Sequence, residues 1–166
     1  GVYLWSQGFG NAKTELLKIA VAEWVRMGND GRFALFADLV DEMREAFGND
    51  QPQPGADQWD RSSAYQRLQM MQAIPLLAID ELEEVSLTTY TTNTRFRLFN
   101  ERYERTTRMY SGITLIASNV PPGSLPPKLQ SRFSDPDFMV TREVTGKDVR
   151  PAMAEFRAHP TGGGVK

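Results

Sequence analysis

The sequence predicts an α/β fold, a single domain built on a parallel sheet between layers of helix. Three observations carry this expectation. Short apolar runs alternate along the chain with segments whose apolar residues recur at helical spacing, the order expected when each parallel strand returns through a helix. The run over residues 74–79 is almost unbroken in apolar residues, as in a strand buried on both faces. The chain has 166 residues, enough for one domain to bury about 70% of its unfolded surface.

Val2-Tyr3-Leu4-Trp5 reads as the first strand, and a polar, glycine-containing turn follows over 6–11. From Lys13 onward, Leu16, Leu17, Ala20, Val21, Trp24 and Val25 mark a helix face, which Gly28-Asn29-Asp30-Gly31 closes. Residues 33–36 form a second strand, and Asp38 is placed to cap a second helix with Leu39, Val40, Met43, Ala46 and Phe47 on one face. Residues 48–60, containing QPQPG, read as a loop, and a polar helix follows over 61–73. The third strand ends in Asp80-Glu81, an arginine-rich helix covers 89–108, and strands at 113–117 and 138–140 complete the set. The domain is expected to span residues 1–158, with a flexible, glycine-rich tail over 159–166. Gly1 leads straight into an apolar run, so an N-terminal, partner-binding region is expected ahead of it.

Composition removes several kinds of chemistry. No cysteine is present, which excludes disulfide frameworks and thiolate metal sites and fits a reducing cytoplasm, the expected location. The one histidine, His159, lies in the tail, so histidine-based triads and metal centres are not available. No apolar run approaches the roughly 20 residues needed to cross a bilayer, and no secretory signal is read. The net charge of −2 offers no global attraction to nucleic acid, so any such contact must come from a local patch.

The segment Gln7-Gly8-Phe9-Gly10-Asn11-Ala12-Lys13-Thr14 falls between the first strand and the first helix. That is the setting in which G-x-x-x-x-G-K-[ST], the Walker A pattern, cradles phosphates. Backbone N–H groups at a helix start, with the positive end of its dipole, attract phosphate oxygens. Gly8, Phe9, Gly10, Asn11 and Ala12 would line the loop. Lys13 would reach the β- and γ-phosphates and the Thr14 hydroxyl would ligate Mg²⁺. Gln7 and Ala12 stand where the pattern has glycine, and the Ala12 methyl lies where phosphate passes near the backbone. The competing reading is a plain glycine turn ahead of a helix.

Leu76-Leu77-Ala78-Ile79-Asp80-Glu81 resembles the Walker B pattern, an apolar strand delivering two acids to the sheet edge where ligands collect. Asp80 would hold Mg²⁺ through water, and Glu81 would polarise the water that attacks the γ-phosphate. With Glu83 and Glu84 following, a solvated acidic turn is the alternative.

Further segments give the resemblance a family. Arg95–Glu104 (RFRLFNERYE) followed by Ile113–Asn119 (ITLIASN), Gly31–Phe47 upstream and Leu125–Pro151 downstream are together similar to the DnaC/IstB family of AAA+ helicase loaders and transposition helpers. The likeness runs over about 2–151. It implies a P-loop NTPase fold of the AAA+ type, with sheet order 5-1-4-3-2 and little or no C-terminal lid. It also implies roles at matching positions. Asn119 would be the sensor 1 residue, Arg132 the arginine finger reaching a neighbouring subunit's nucleotide, and Arg150 the sensor 2 arginine. Each has a structural alternative: Asn119 as the start of the Val120-Pro121-Pro122-Gly123 turn, Arg132 paired with Asp135 or Asp137, and Arg150 as an exposed surface arginine.

The arginine-rich helix carries Arg95, Arg97, Arg102, Arg105 and Arg108 against Glu101 and Glu104. Arg95, Arg97 and Arg102 are therefore expected to contact single-stranded DNA or an adjoining subunit through the planar guanidinium fork. A solvated face stabilised by a Glu101–Arg105 pair is the alternative. Tyr103 is the local candidate for base stacking. The resemblance thus implies an ATP- and Mg²⁺-dependent loader of a replicative helicase that binds single-stranded DNA and self-associates. An IstB-like transposition helper partnering a transposase, or a non-hydrolysing scaffold, is the alternative.

Overall fold

Five strands pair in parallel: β1 (Val2–Trp5), β2 (Gly31–Leu35), β3 (Leu76–Asp80), β4 (Ile113–Ser118) and β5 (Val140–Glu143). Their order, β2-β3-β4-β1-β5, is the expected 5-1-4-3-2 order read from the other edge. The helices are α1 (Lys13–Arg26), α2 (Phe36–Glu45), α3 (Ala64–Ala73), α4 (Thr89–Met109) and α5 (Pro127–Phe133). This computed structural model describes residues 1–8, 10–45, 64–83, 88–109, 111–146 and 148–149. The loop over 48–60, the tail over 159–166, Ala46, Phe47, Phe9 and Arg150 lie outside the described residues.

Strand side chains alternate between two faces of the sheet, and the two faces are covered unequally. Tyr3, Ala34, Leu77, Ile79 and Ile116 point into a large core with Leu39 of α2, Met71 of α3, Leu98 and Phe99 of α4 and Phe133 of α5. Leu4, Phe33, Ala78, Leu115 and Ala117 face the other way, onto Leu17 and Val21 of α1. Covering a sheet face with one helix buries a narrow stripe of that helix. Leu16 and Val25, expected on the packed face, are accordingly 50% and 49% exposed.

Several boundaries differ from the expectation for local reasons. α2 begins at Phe36, so Asp38 sits in its first turn, favourable to the helix dipole, and not ahead of the helix as its cap. α4 starts with a reciprocal pair, in which the Thr91 N–H donates to Thr88 Oγ1 at 3.2 Å and the Thr88 N–H donates to Thr91 Oγ1 at 2.9 Å, the arrangement of a capping box. β5 begins at Val140 because Phe138 and Met139 close a turn back to the Asp135 carbonyl and bury their side chains. The apolar run there marks the rim of the core, and the exposed edge strand follows it.

Arg102 departs most from what a surface arginine would do. It is 1% exposed. Its Nε donates to Thr114 Oγ1 at 2.7 Å, one terminal nitrogen to the Met71 and Ile74 carbonyls at 3.0 and 2.9 Å, and the other to the Ile113 carbonyl at 2.6 Å. Burial pushes the guanidinium down to about 10, so it stays charged at neutral pH. The side chain ties α4 to the end of α3 and the start of β4 by donating to their buried backbone carbonyls. Arg95 is 3% exposed and lies over the Phe36 ring at 5.0 Å. Both residues are thereby removed from the expected DNA or subunit contacts, because their guanidinium groups point into the protein. Arg97 remains exposed.

Replacing Arg102 with methionine strips partners from several buried carbonyls at once. We expect Arg102→Met to cost at least about 3 kcal/mol in urea unfolding, with Arg102→Lys intermediate because an ammonium cannot span all the acceptors. A loss below about 1 kcal/mol would contradict this role for the buried fork.

Candidate functional site

Parallel strands put all their carboxyl ends on one edge, and three of the segments that follow them meet there. After β1, the loop over 6–12 leads into α1 at Lys13. Lys13 is 8% exposed, and its ammonium donates to Ser6 Oγ at 2.6 Å and to Asn119 Oδ1, just beyond β4, at 3.2 Å. A longer contact of 3.4 Å reaches the Gly8 carbonyl, to which the Ser6 hydroxyl itself donates at 2.7 Å. At the next residue of α1, the Thr14 hydroxyl donates to Asp80 Oδ2 at the end of β3, at 2.5 Å. The other Asp80 oxygen accepts the Glu81 N–H at 3.0 Å.

The loop residues themselves are set for anions. Ala12 stands at the N-cap of α1 and offers no side-chain cap, leaving the amides of the first turn for a ligand. Its backbone is left-handed, with φ 59 and ψ 16. Alanine is thus accommodated in a conformation that favours glycine, at a strain of about 1–2 kcal/mol. Glu81 is also left-handed, at φ 55, a second strained residue in the same cluster.

The loop is closed from the far end of the chain. Asn11 Nδ2 donates to the Gly146 carbonyl at 2.9 Å, and the Val149 N–H donates to the Gly10 carbonyl at 3.0 Å. Gly10 has φ 79, a conformation that favours glycine, and a Cβ there would also displace the exposed Asp148 carboxylate. Asn11 Oδ1 is buried without a partner among the described residues.

Lys13, Thr14, Asp80, Glu81, Asn119 and the loop residues Gly8, Gly10, Asn11 and Ala12 therefore share one edge of the sheet. Arg132 does not join them. It lies on α5 against α4, its Nε and a terminal nitrogen donating to Asn100 Oδ1 at 3.3 and 3.1 Å, its guanidinium 4.7 Å above the Tyr103 ring. With Arg132 over its ring and Phe138 packed against it at 5.5 Å, Tyr103 is not free to stack on a base. The ion pair formed on this helix is Glu104–Arg108, at 2.7 Å.

Two participants escaped the sequence reading. Ser6, which the sequence places in a turn, is 3% exposed and anchors Lys13. Glu83 was read as part of an acidic turn, yet its carboxylate accepts the Ser118 hydroxyl at 2.7 Å and the Asn119 N–H at 2.6 Å. The sequence signal for both is slight: Ser6 is a turn-type residue that meets the helix seven residues on, and the partners of Glu83 lie at the end of another strand.

Solved structures share this architecture. AMPPCP-bound DnaA from Aquifex aeolicus superposes with a TM-score of 0.69 at 18% identity, over 95% of this chain and 44% of that one. A replication initiator DnaA bound to AMPPCP and single-stranded DNA gives 0.66 at 20% identity, over 95% and 46%. The DnaC helicase loader gives 0.57 at 18% identity, over 87% and 77%. These likenesses show the fold, a five-stranded parallel sheet between helices of the kind these structures share. The chain spans less than half the length of the DnaA chains it matches, 44% and 46%. No family model and no curated protein sequence matches it. Among the described residues, no helix is long and apolar enough to cross a membrane.

Chemically, the edge suits a polyphosphate with a hard divalent cation. Lys13 and the helix start supply positive potential, while Thr14 and Asp80 bring two oxygen donors together. Among the described residues no group of three or more His, Cys, Asp or Glu gathers to hold a metal. Such a sparse protein set fits Mg²⁺, which keeps water and phosphate oxygens in its shell.

The strain at Ala12 is directly testable. Ala12→Gly relieves the left-handed alanine but loosens the unfolded chain, for a net gain of about 0.5–1 kcal/mol. Gly10→Ala adds both strain and overlap and should cost at least about 1 kcal/mol. Urea midpoints check both, and destabilisation by Ala12→Gly would contradict the loop geometry.

Proposed function

We propose that this chain is an ATP-dependent factor of DNA replication that binds Mg²⁺-ATP at the sheet edge and acts, as an assembly of several copies, on a replicative helicase around single-stranded DNA. The observation that carries the reading is the convergence of Lys13, Thr14, Asp80 and Asn119 from three separated segments through direct hydrogen bonds. A glycine turn, an acidic strand end and a turn-forming asparagine have no need to meet. The likeness to the DnaC helicase loader, and to a DnaA bound to AMPPCP and single-stranded DNA, supports the same direction.

In this reading Lys13 and the first amides of α1 hold the phosphates, and Thr14 and Asp80 hold Mg²⁺. The metal would supply charge neutralisation at the β- and γ-phosphate oxygens. Glu81 accepts a proton from the attacking water as its oxygen bonds to the γ-phosphorus, the bond to the β-bridging oxygen breaks, and ADP and phosphate form. Asn119 orients the water or a γ-oxygen. Arg132, which would have to leave Asn100 and Tyr103, stabilises developing charge in a neighbouring copy's site. Arg150 is assigned to the nucleotide of its own subunit.

With Arg95 and Arg102 buried, the proposed DNA-binding surface is the face that Arg97 shares with α3. Arg97 and Arg105 line an open groove of about 560 Å³ between α3 and α4, together with Tyr65. Tyr65 is 57% exposed, an aromatic face available for stacking where Tyr103 is not. With Glu101 also in its lining the groove carries two arginines against one acid, and Phe96 lines it with Tyr65; cations with aromatic faces suit single-stranded nucleic acid.

Lys13→Ala is expected to remove Mg²⁺-dependent ATP turnover, measured as phosphate release with and without single-stranded DNA. Turnover that survives this change would sink the assignment of the site. Tyr65→Ala and Arg97→Ala should each weaken single-stranded DNA binding by about tenfold without altering nucleotide binding. Equal binding by the wild type and both variants in fluorescence anisotropy would move the DNA surface elsewhere. Pull-down of a replicative helicase, against a transposase, separates the loader from the transposition helper.

A further inference from the structure

The turn after β3 contains a side chain whose geometry the roles above do not use. Glu83 lies three positions beyond Asp80, on the chain that leaves the sheet edge. Its two oxygens are both engaged by the end of β4, one by the Ser118 hydroxyl at 2.7 Å and the other by the Asn119 backbone N–H at 2.6 Å. The Ser118 hydroxyl is 2.7 Å from Glu83 and also lies 3.1 Å from the Val120 N–H, which donates to it. Ser118 is 1% exposed. The carboxylate thus grips the two residues that set where the Asn119 side chain leaves the backbone. Asn119 Oδ1 in turn accepts Lys13 Nζ at 3.2 Å.

A solvated acidic turn would not make these contacts. Charge-assisted hydrogen bonds from a carboxylate to a backbone N–H and a hydroxyl are short and directional, and roughly twice as strong as neutral ones. Arg95 adds to the effect. It is 3% exposed, with Nε and one terminal nitrogen lacking partners among the described residues. Burial lowers its guanidinium pKa, and the Glu83 charge opposes that shift. The Glu83 carboxylate thus favours the charged form of this buried guanidinium.

We propose that Glu83 is a positioning residue of the nucleotide site, holding Asn119 at the end of β4 in register with Lys13 and the acids that end β3. This rests on the hydrolytic reading of the site given above. Glu83 touches no reacting atom in this account; it acts through Asn119. Its removal would let the Asn119 side chain wander by a fraction of its own length, and a misplacement near 1 Å can cost about 100-fold in rate.

The test is a kinetic double-mutant cycle on the full chain, with phosphate release measured over a range of Mg²⁺-ATP concentrations. Glu83→Ala should lower kcat by about 10- to 100-fold while the KM for ATP changes by less than about threefold, since the phosphate-binding loop is untouched. Glu83→Gln keeps an acceptor for the Asn119 N–H and should recover most of the rate. In an Asn119→Ala background, Glu83→Ala should cost less than about twofold more, because the group it positions is already gone. Ser118→Ala, which removes one of the two contacts and leaves Glu83 in place, should give a smaller loss of the same kind, and it carries the test if Glu83→Ala does not fold.

Fully additive losses in the cycle overturn the inference, as does a rise in KM at unchanged kcat. Wild-type turnover with an undiminished rate in Glu83→Ala overturns it alone. A wild-type protein that binds Mg²⁺-ATP but releases no phosphate overturns the hydrolytic reading, and this inference with it.

Discussion

The Lys13 ammonium sits between the Ser6 hydroxyl and the Asn119 amide oxygen, and the organisation of the whole sheet edge depends on that placement. A lysine 8% exposed must be hydrogen-bonded to remain charged. Its acceptors come from the ends of two adjacent strands, β1 and β4, which pair in register from Val2 with Leu115 to Trp5 with Ser118. Slipping that register by one residue would turn Tyr3 out of the large core and move Asn119 away from Lys13. The hydrophobic sorting of the sheet and the polar geometry of the site are therefore one constraint.

Around that contact the chain accepts local strain. Ala12 and Glu81 both occupy left-handed backbone, at φ 59 and φ 55, at adjacent points of the same edge. Residues held this way persist when their surroundings over-determine them. Here the surroundings are the Thr14–Asp80 contact, the Glu81 N–H on Asp80, and the far segment at Gly146–Val149 that closes the loop from outside. Alanine in place of the usual glycine thus fits the loop's shape, with its cost spread over a network that holds the conformation.

Much of this was legible in the sequence because it is written in periodicity. The buried run of β3 and the alternation of strand and helix pointed to a parallel sheet, the order of its strands came from the family resemblance, and the loop and acids fell at strand ends, where parallel topology collects them. What was not legible depends on partners distant in sequence. Arg95 and Arg102 read as a cationic helix face, since an arginine's type does not reveal whether its fork meets carbonyls inside or phosphates outside. Arg102 turns inward, where its guanidinium donates to four backbone carbonyls at the α3–β4 junction. Glu83 stood among acids in a turn, and its partners Ser118 and Asn119 become visible only once β3 and β4 lie side by side. The run at Phe138–Val140 misplaced β5 because apolar residues mark burial, and the edge strand itself is mostly exposed.

The central claim is that these residues form one preorganised site for a magnesium nucleotide. Backbone amide NMR of the isotope-labelled chain, titrated with Mg²⁺-ATP, tests it most directly. Saturable shifts are predicted at Gly8–Thr14, at Asp80–Glu83 and at Ser118–Asn119 together, with the α3–α4 groove unaffected. No saturable shift at millimolar nucleotide, or shifts confined to surfaces away from the sheet edge, would contradict the account.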